Sequence, residues 1–279
     1  MAPDIKIGMA QLLVEGREPE RNFMRAEKLI AEAAAAHCHI VLLPETIDFA
    51  WTHPAAHSES QPIPGPFSKV FCDMARKYNI YICVGLTERT GGTPVNHNTA
   101  LLINNAGEII LKYHKINLLE VEHPYYKVGK TLGVVDTPWG CIGVNICADN
   151  YIEGLCIGHT LARMGARIIL SPSSWTVDYS ITEEDDPYCD KWIKPLSLLA
   201  KAYNIVVVSS TSVGYIIGGP YEGKKQVGCS LCVGEKGIIA QGQFNEFAGE
   251  LVVASFSVPD NGLKGTQFGE SLRKKGYQF

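Results

Sequence analysis

The chain has 279 residues, 46% hydrophobic and 19% charged, enough for a substantial core in one large α/β domain or two smaller ones. Its net charge of −4, without a basic tract, excludes nucleic acid and anionic membrane surfaces as obvious partners. Nine cysteines lie scattered through apolar stretches, the N-terminus has no signal-peptide layout, and no apolar run reaches membrane-spanning length; together these predict reduced thiols in the cytoplasm.

Ile5 to Leu13 reads as a buried strand. Pro19 opens a helical pattern through Phe23, Ala26, Leu29, Ile30, Ala33 and Ala34, at a first-turn position where its missing N–H costs least. A short apolar strand, His39 to Leu43, ends at Pro44-Glu45, and a loop rich in Pro and His follows to Pro66. A helix is predicted over Phe67 to Tyr78, then strands over Ile80 to Leu86, Thr99 to Ile103 and Ile109 to Tyr113, with a turn at Asn104-Asn105-Ala106-Gly107. After a loop to Lys130 come Val134 to Asp136, a turn, and the strand Cys141 to Ile146, which delivers Cys147 to the point where the chain turns polar. A helix over Ile152 to Met164, a strand over Arg167 to Leu170 and a polar loop over Ser171 to Pro187 follow. Trp192, Leu196, Leu199, Ala200 and Tyr203 share one helical face, which Pro195 either kinks or opens. Strands at Ile205 to Ser209, Gly228 to Val233, Ile238 to Ala240 and Glu250 to Phe256 complete the pattern.

The succession from residue 5 to about 113 nearly repeats from 141 to about 256, with no long linker between the halves. This predicts a single domain over residues 1–279, a four-layer α-β-β-α sandwich with residues 259–279 as a C-terminal tail. Near-continuous apolar strands fit sheets buried on both faces. Glu45 and Cys147 then occupy comparable positions, each just beyond a central strand.

A thiol nucleophile needs a base or cation beside it, because the thiolate attacks. None of the eight histidines sits in a setting that marks a Cys-His pair. The alternative set is a carboxylate and a lysine, Glu45 and Lys115. For an arbitrary cysteine a buried core thiol is the commoner outcome, and Glu45 or Lys115 alone would more often be a solvated charge. Cys229-Ser230-Leu231-Cys232 has CxxC spacing, but in an apolar strand without a second pair it does not read as a metal site.

Three segments resemble, in order, the glutamate, lysine and cysteine motifs of the nitrilase superfamily of carbon–nitrogen hydrolases. They are Leu42-Leu43-Pro44-Glu45, Lys112-Tyr113-His114-Lys115-Ile116-Asn117-Leu118 and Gly143-Val144-Asn145-Ile146-Cys147. Ile7 to Gln11, Gly165 to Ser173 and Glu122 to Gly129 resemble the flanking segments, the last carrying the family's second glutamate; Glu122 is preferred over Glu120. The resemblance implies the sandwich fold, a homodimer or larger homo-oligomer, and hydrolysis of small amides without metal or organic cofactor. It assigns Cys147 as nucleophile, Glu45 as proton carrier, and Lys115 as oxyanion holder with the Ala148 N–H. Glu122 would orient Lys115 or water, and Asn150 would contact substrate; Trp175 resembles a pocket-lining position, with a buried core Trp as the other reading.

Cys147-Ala148-Asp149-Asn150 stands where nitrile-cleaving members carry Trp-Glu after the cysteine, which tilts the expectation toward amide or N-carbamoyl substrates. Ile152-Glu153 and Thr211-Ser212-Val213-Gly214 also depart from the family pattern near the expected substrate site. Nitrile hydrolysis or acyl transfer with the same residues is the alternative chemistry, and a non-catalytic binding protein on this fold the alternative class. Loops 46–66, 116–130 and 172–187 are expected to wall the pocket. Glu183 to Asp186 read as a solvated acidic stretch, with attraction of a cationic amine as the other reading.

Overall fold

The computed structural model describes residues 3–91, 95–260, 270 and 273–276, so most of the tail expected over 259–279 falls outside the described residues. The strands are β1 (Asp4–Leu13), β2 (Ile40–Leu42), β3 (Tyr81–Glu88), β4 (His97–Ile103), β5 (Ile109–His114), β6 (Val134–Thr137) and β7 (Gly140–Val144). They continue with β8 (Ile168–Ser173), β9 (Thr176–Val177), β10 (Val206–Tyr215), β11 (Lys225–Val227), β12 (Leu231–Gly234), β13 (Gly237–Gln241) and β14 (Glu250–Ser257). The helices are α1 (Pro19–Ala35), α2 (Ala56–Glu59), α3 (Pro66–Tyr78), α4 (Leu155–Arg163) and α5 (Lys194–Tyr203). Proline occupies the first turn of α1, α3 and α5, and left-handed Asn79 and Asn204 end the last two, as helix termini favour.

One sheet runs β14-β1-β2-β3-β4-β5 and the other β6-β7-β8-β10-β12-β13, each with a parallel centre and antiparallel flanks. They join where the ends of β1 and β10 pair, Leu12 beside Ser212 and Leu13 beside Val213. Three buried clusters fill the spaces between four layers. Phe23, Leu29, Ile30, Phe71, Val84 and Leu101 pack α1 and α3 on the first sheet. Ile7, Met9, Leu42, Val144, Leu170 and Val208 meet between the sheets. Leu161, Leu196, Leu199, Ile169 and Val207 pack α4 and α5 on the second. The α-β-β-α sandwich expected from the sequence is therefore the observed architecture.

Several boundaries move for identifiable reasons. The polar run Ser171-Pro172-Ser173 is not loop but the end of β8, in parallel register with Ser209, Ser210 and Thr211. Its hydroxyls satisfy one another, Ser209 Oγ donating to Ser173 Oγ at 2.9 Å, so buried serines cost the strand little. Helix α4 starts at Leu155, three residues late, because Ile152–Gly154 form a 3-10 turn held against the Cys147 turn. A Cβ on Gly154 would lie 2.7 Å from the Ala148 carbonyl oxygen. Cys229 lies outside strand structure, its φ of 60° following left-handed Gly228. Cys229 and Cys232 bury in different layers, and all eight cysteines with described side chains are free thiols.

The internal repeat corrects one expectation. Its strand equivalences run β1 to β7, β2 to β8 and β3 to β10, as the two sheet orders show. Glu45 follows β2 while Cys147 follows β7, so they are not equivalent positions. The equivalent of Glu45 lies at the end of β8, and the Glu45 N–H there donates to the Ser173 carbonyl at 3.4 Å. The sheets stack so that the two chain ends meet. Within the first sheet, Gly85 of β3 lets the chain beyond β2 run close beside it, since a Cβ there would sit 2.3 Å from Glu45 Cα. Gly85→Ala must displace backbone, so it is expected to destabilise the fold by about 2 kcal/mol, read as a lower denaturant midpoint; an unchanged midpoint would refute the close approach.

Candidate active site

Glu45 stands three residues beyond Leu42, the end of β2, its side chain fully buried. Its Oε1 accepts the Asn98 amide at 2.9 Å and faces Lys115 Nζ at 3.4 Å. Burial raises its pKa above the ordinary carboxylate value, and Glu122 adds to the rise; Lys115, Asn98 and the Cys147 thiol offset it in part.

Lys115 follows β5, and its backbone N–H is held by the Asn98 carbonyl at 2.9 Å. Its ammonium, with no solvent exposure, donates to Glu122 Oε1 at 2.9 Å. Burial works against that charge, but the carboxylates of Glu122 and Glu45 outweigh it and hold Lys115 protonated well above its usual range. Glu122 sits on the 3-10 turn Glu120–Glu122 and is completely buried. Its Oε1 also accepts Trp51 Nε1 at 2.8 Å, and its Oε2 the Leu119 N–H at 2.9 Å. Glu120 is exposed, so Glu122 is the glutamate the fold brings to Lys115. The Trp51 ring centroid lies 5.9 Å from Lys115 Nζ, a further contact for the cation.

Cys147 opens the 3-10 turn Cys147–Asn150 with a left-handed φ of 45°, a conformation that non-glycine residues adopt at a cost. The turn is held by its neighbours. Asp149 accepts the Ile146 N–H at 2.9 Å, the Asn117 N–H at 2.8 Å and the Tyr113 hydroxyl at 2.7 Å. It thereby ties the cysteine turn to both sides of Lys115. The Cys147 N–H donates to Ser171 Oγ at 3.2 Å, and Sγ lies 3.8 Å from the Ser174 carbonyl. Burial pushes the thiol pKa well above its ordinary value, with the nearby Glu45 carboxylate adding to the rise and Lys115 only partly opposing it. The resting group is therefore a neutral thiol that needs a base during reaction.

Glu45, Lys115, Cys147 and Glu122 thus come together, with 5% exposure at Cys147 and none at the other three. Ala148 lies beside them in the same turn. The remaining two expected substrate contacts are placed differently. The Asn150 amide is engaged reciprocally with Asn145, at 2.7 and 3.1 Å, and donates to Ser171 Oγ at 2.8 Å, so its hydrogen bonds hold the turn. The Trp175 ring packs in the outer helix–sheet layer against Trp192 at 4.6 Å and Tyr188 at 5.3 Å. The acidic stretch Glu183 to Asp186 is exposed, as solvated charges are. Asn98, Trp51, Tyr113 and Asp149 are site residues that motif reading gave no role in the chemistry. Their partners lie 53, 71 and 36 residues away for Asn98–Glu45, Trp51–Glu122 and Tyr113–Asp149, beyond the reach of local pattern.

Comparison with known proteins follows the same lines. The carbon–nitrogen hydrolase family model matches residues 6–260. A protein named nitrilase from Pyrococcus abyssi is 32% identical over 182 residues, covering 63% of this chain and 67% of that one. A deaminated glutathione amidase from Mus musculus is 32% identical over 171 residues, covering 56% of this chain and 52% of its own length. An amidase from Nesterenkonia sp. AN1, with acrylamide added to its active-site cysteine, superposes with a TM-score of 0.76 at 18% identity. That likeness covers 90% of this chain and 92% of the other, and it is one of fold.

Proposed function

The chain belongs to the carbon–nitrogen hydrolase family, and we propose that it cleaves a small linear amide or N-carbamoyl compound through a thioester on Cys147. The observation that carries this reading is the burial together of the Cys147 thiol, the Glu45 carboxyl and the Lys115 ammonium, the last 3.4 Å from Glu45 Oε1. Glu45 takes the Cys147 proton as sulfur attacks the carbonyl carbon, then returns it to the leaving nitrogen. An ammonium has three donors, and Lys115 directs two at Glu122 and Glu45. The third, with the Ala148 N–H, holds the oxyanion. Glu122, anchored by Trp51 and Leu119, keeps Lys115 charged and aimed. After ammonia or an amine departs, Glu45 activates water to release the acid.

Ammonia release from a panel of amides, carbamoyl amines, carbamoyl amino acids and nitriles tests the reading. Nitrile turnover is the second reading, favoured by the name of the Pyrococcus relative; a panel in which only nitriles react would select it. The family resemblance supports a homodimer or larger homo-oligomer with a small-molecule partner, and the free thiols support a reducing, cytoplasmic setting.

The pH profile provides an independent check. Glu45 must be ionised to accept the proton, and its folded pKa is raised, so the acid limb of kcat/KM is expected above the ordinary value of 4.5. Glu122→Gln removes a cause of that rise, so it should move the limb to lower pH while slowing turnover. A limb at or below 4.5 in the wild type would exclude Glu45 as the base.

A further inference from the structure

Thr46, Ala50 and Thr52 have φ of 46°, 68° and 58°, three left-handed non-glycine residues in one short segment, two of them β-branched. Such conformations are costly and persist only where the surroundings over-determine them. The segment leaves Glu45 and ends on the Glu122 side of the site. Trp51 Nε1 donates to Glu122 Oε1 at 2.8 Å, and the Thr52 N–H to the Tyr126 hydroxyl at 3.2 Å. Asp48 sits in its middle with no solvent exposure, a buried carboxyl that has no part in the proposed chemistry. Its Oδ2 accepts the Thr87 N–H of β3 at 2.7 Å. Its Oδ1 accepts the Thr87 hydroxyl at 3.2 Å and the Phe49 N–H at 3.0 Å. Burial raises the Asp48 pKa to about 7, although these donors favour the carboxylate. An apolar side chain would be buried there without that cost, but it would leave the Thr87 and Phe49 N–H groups without this acceptor.

Resting on the amide-hydrolase reading, we infer that Asp48 is a positioning residue: it clamps the strained segment to β3 and so holds Trp51 where its indole fixes Glu122, and through Glu122 the Lys115 ammonium. Glu122 Oε1 accepts both the indole and the ammonium, the latter at 2.9 Å. With the indole displaced, Glu122 keeps the Leu119 N–H on its other oxygen and can turn about that bond, carrying Lys115 away from Glu45. Asparagine cannot replace Asp48. It has the same shape but one acceptor oxygen, and its –NH2 would meet the N–H of Thr87 or Phe49, donor against donor. The influence of Asp48 on the reaction runs through Trp51, so a protein without the indole N–H should no longer register the loss of Asp48.

A double-mutant cycle of Asp48→Asn and Trp51→Phe tests this at pH 8, where the Asp48 carboxyl is largely ionised. Two rates are followed: kcat/KM for the amide that turns over fastest in the panel, and alkylation of Cys147 by iodoacetamide, read by peptide mass spectrometry. Each single variant is expected to lower both about 10-fold, and the double variant no more than about 20-fold, where independent effects would give about 100-fold. Lys115 is the strongest influence holding the Glu45 pKa down. The acid limb of kcat/KM should therefore rise in both single variants, which a loss of stability alone would not produce. Thr87→Val, which removes only the hydroxyl, is the milder probe if Asp48→Asn fails to fold; its loss of about 3-fold should likewise vanish in the Trp51→Phe background. Multiplicative losses, or wild-type rates in the Asp48 and Thr87 variants, would overturn the positioning role. Alkylation of Cys147 without hydrolysis of any panel amide or carbamoyl compound would overturn the amide-hydrolase reading instead, with the alkylation cycle still deciding the role of Asp48.

Discussion

Cys147→Ala is expected to abolish ammonia release from every hydrolysed substrate while leaving the fold intact. Removing a nucleophile that acts as a unit with its base reduces turnover by roughly 10⁵–10⁶-fold in comparable systems, because the remaining groups only bind and polarise. The stability cost should be small. The thiol is a small buried side chain beside the Glu45 carboxyl; burial raises both pKa values, and the carboxylate adds to the rise at the thiol. Mass spectrometry of the wild type during turnover should capture an acyl group on Cys147 and on no other cysteine. Substantial residual turnover in the alanine variant would sink the thioester mechanism, and absence of any acyl adduct across a broad amide panel would favour a binding protein on this fold.

Lys115→Ala is expected to damage activity and stability together, which separates it from the cysteine variant. Loss of one oxyanion donor costs about 100- to 1,000-fold in rate. The larger structural effect comes from what remains: Glu45 and Glu122 were both facing the ammonium, at 3.4 and 2.9 Å, and neither has any solvent exposure. Breaking a buried ion pair by removing one partner typically costs about 3–5 kcal/mol. Glu45, which Lys115 holds down, would also become harder to ionise, so the residual activity should have its acid limb at higher pH than the wild type. Lys115→Met separates charge from volume, since it keeps most of the stem. It should lose activity like the alanine variant, with less of the loss attributable to a cavity. A near-wild-type rate in either variant would remove Lys115 from the oxyanion site.

These residues differ in how they could be read. Glu45, Lys115 and Cys147 each end a strand-like apolar run, so local hydrophobic pattern puts them at element boundaries, and motif order links them. Glu122 could be preferred over Glu120 only on the residues that follow it. The fold settles their placement by burying one and exposing the other. The departure at Ile152-Glu153 also gains a physical account, because a tight 3-10 turn with Gly154 against Ala148 replaces the first turn of the helix expected there.

The sequence by itself determined the periodicities, hence the strands, the helices, the repeated halves and the four-layer sandwich. It did so because burial of an apolar face is written locally, with period 2 or 3.6. Only the tertiary structure decided which polar groups meet. Asn98 on Glu45, Trp51 on Glu122, Tyr113 and half-buried Asn117 on Asp149, and Asn145 on Asn150 are hydrogen bonds made inside the fold, all but the last across large sequence separations. Such pairs have no periodic signature, since each depends on how two sheets stack and where their strand ends coincide. The same stacking placed Glu45 against Ser173 and not in a position equivalent to Cys147. It buried together a thiol, a carboxyl and an ammonium that perturb one another.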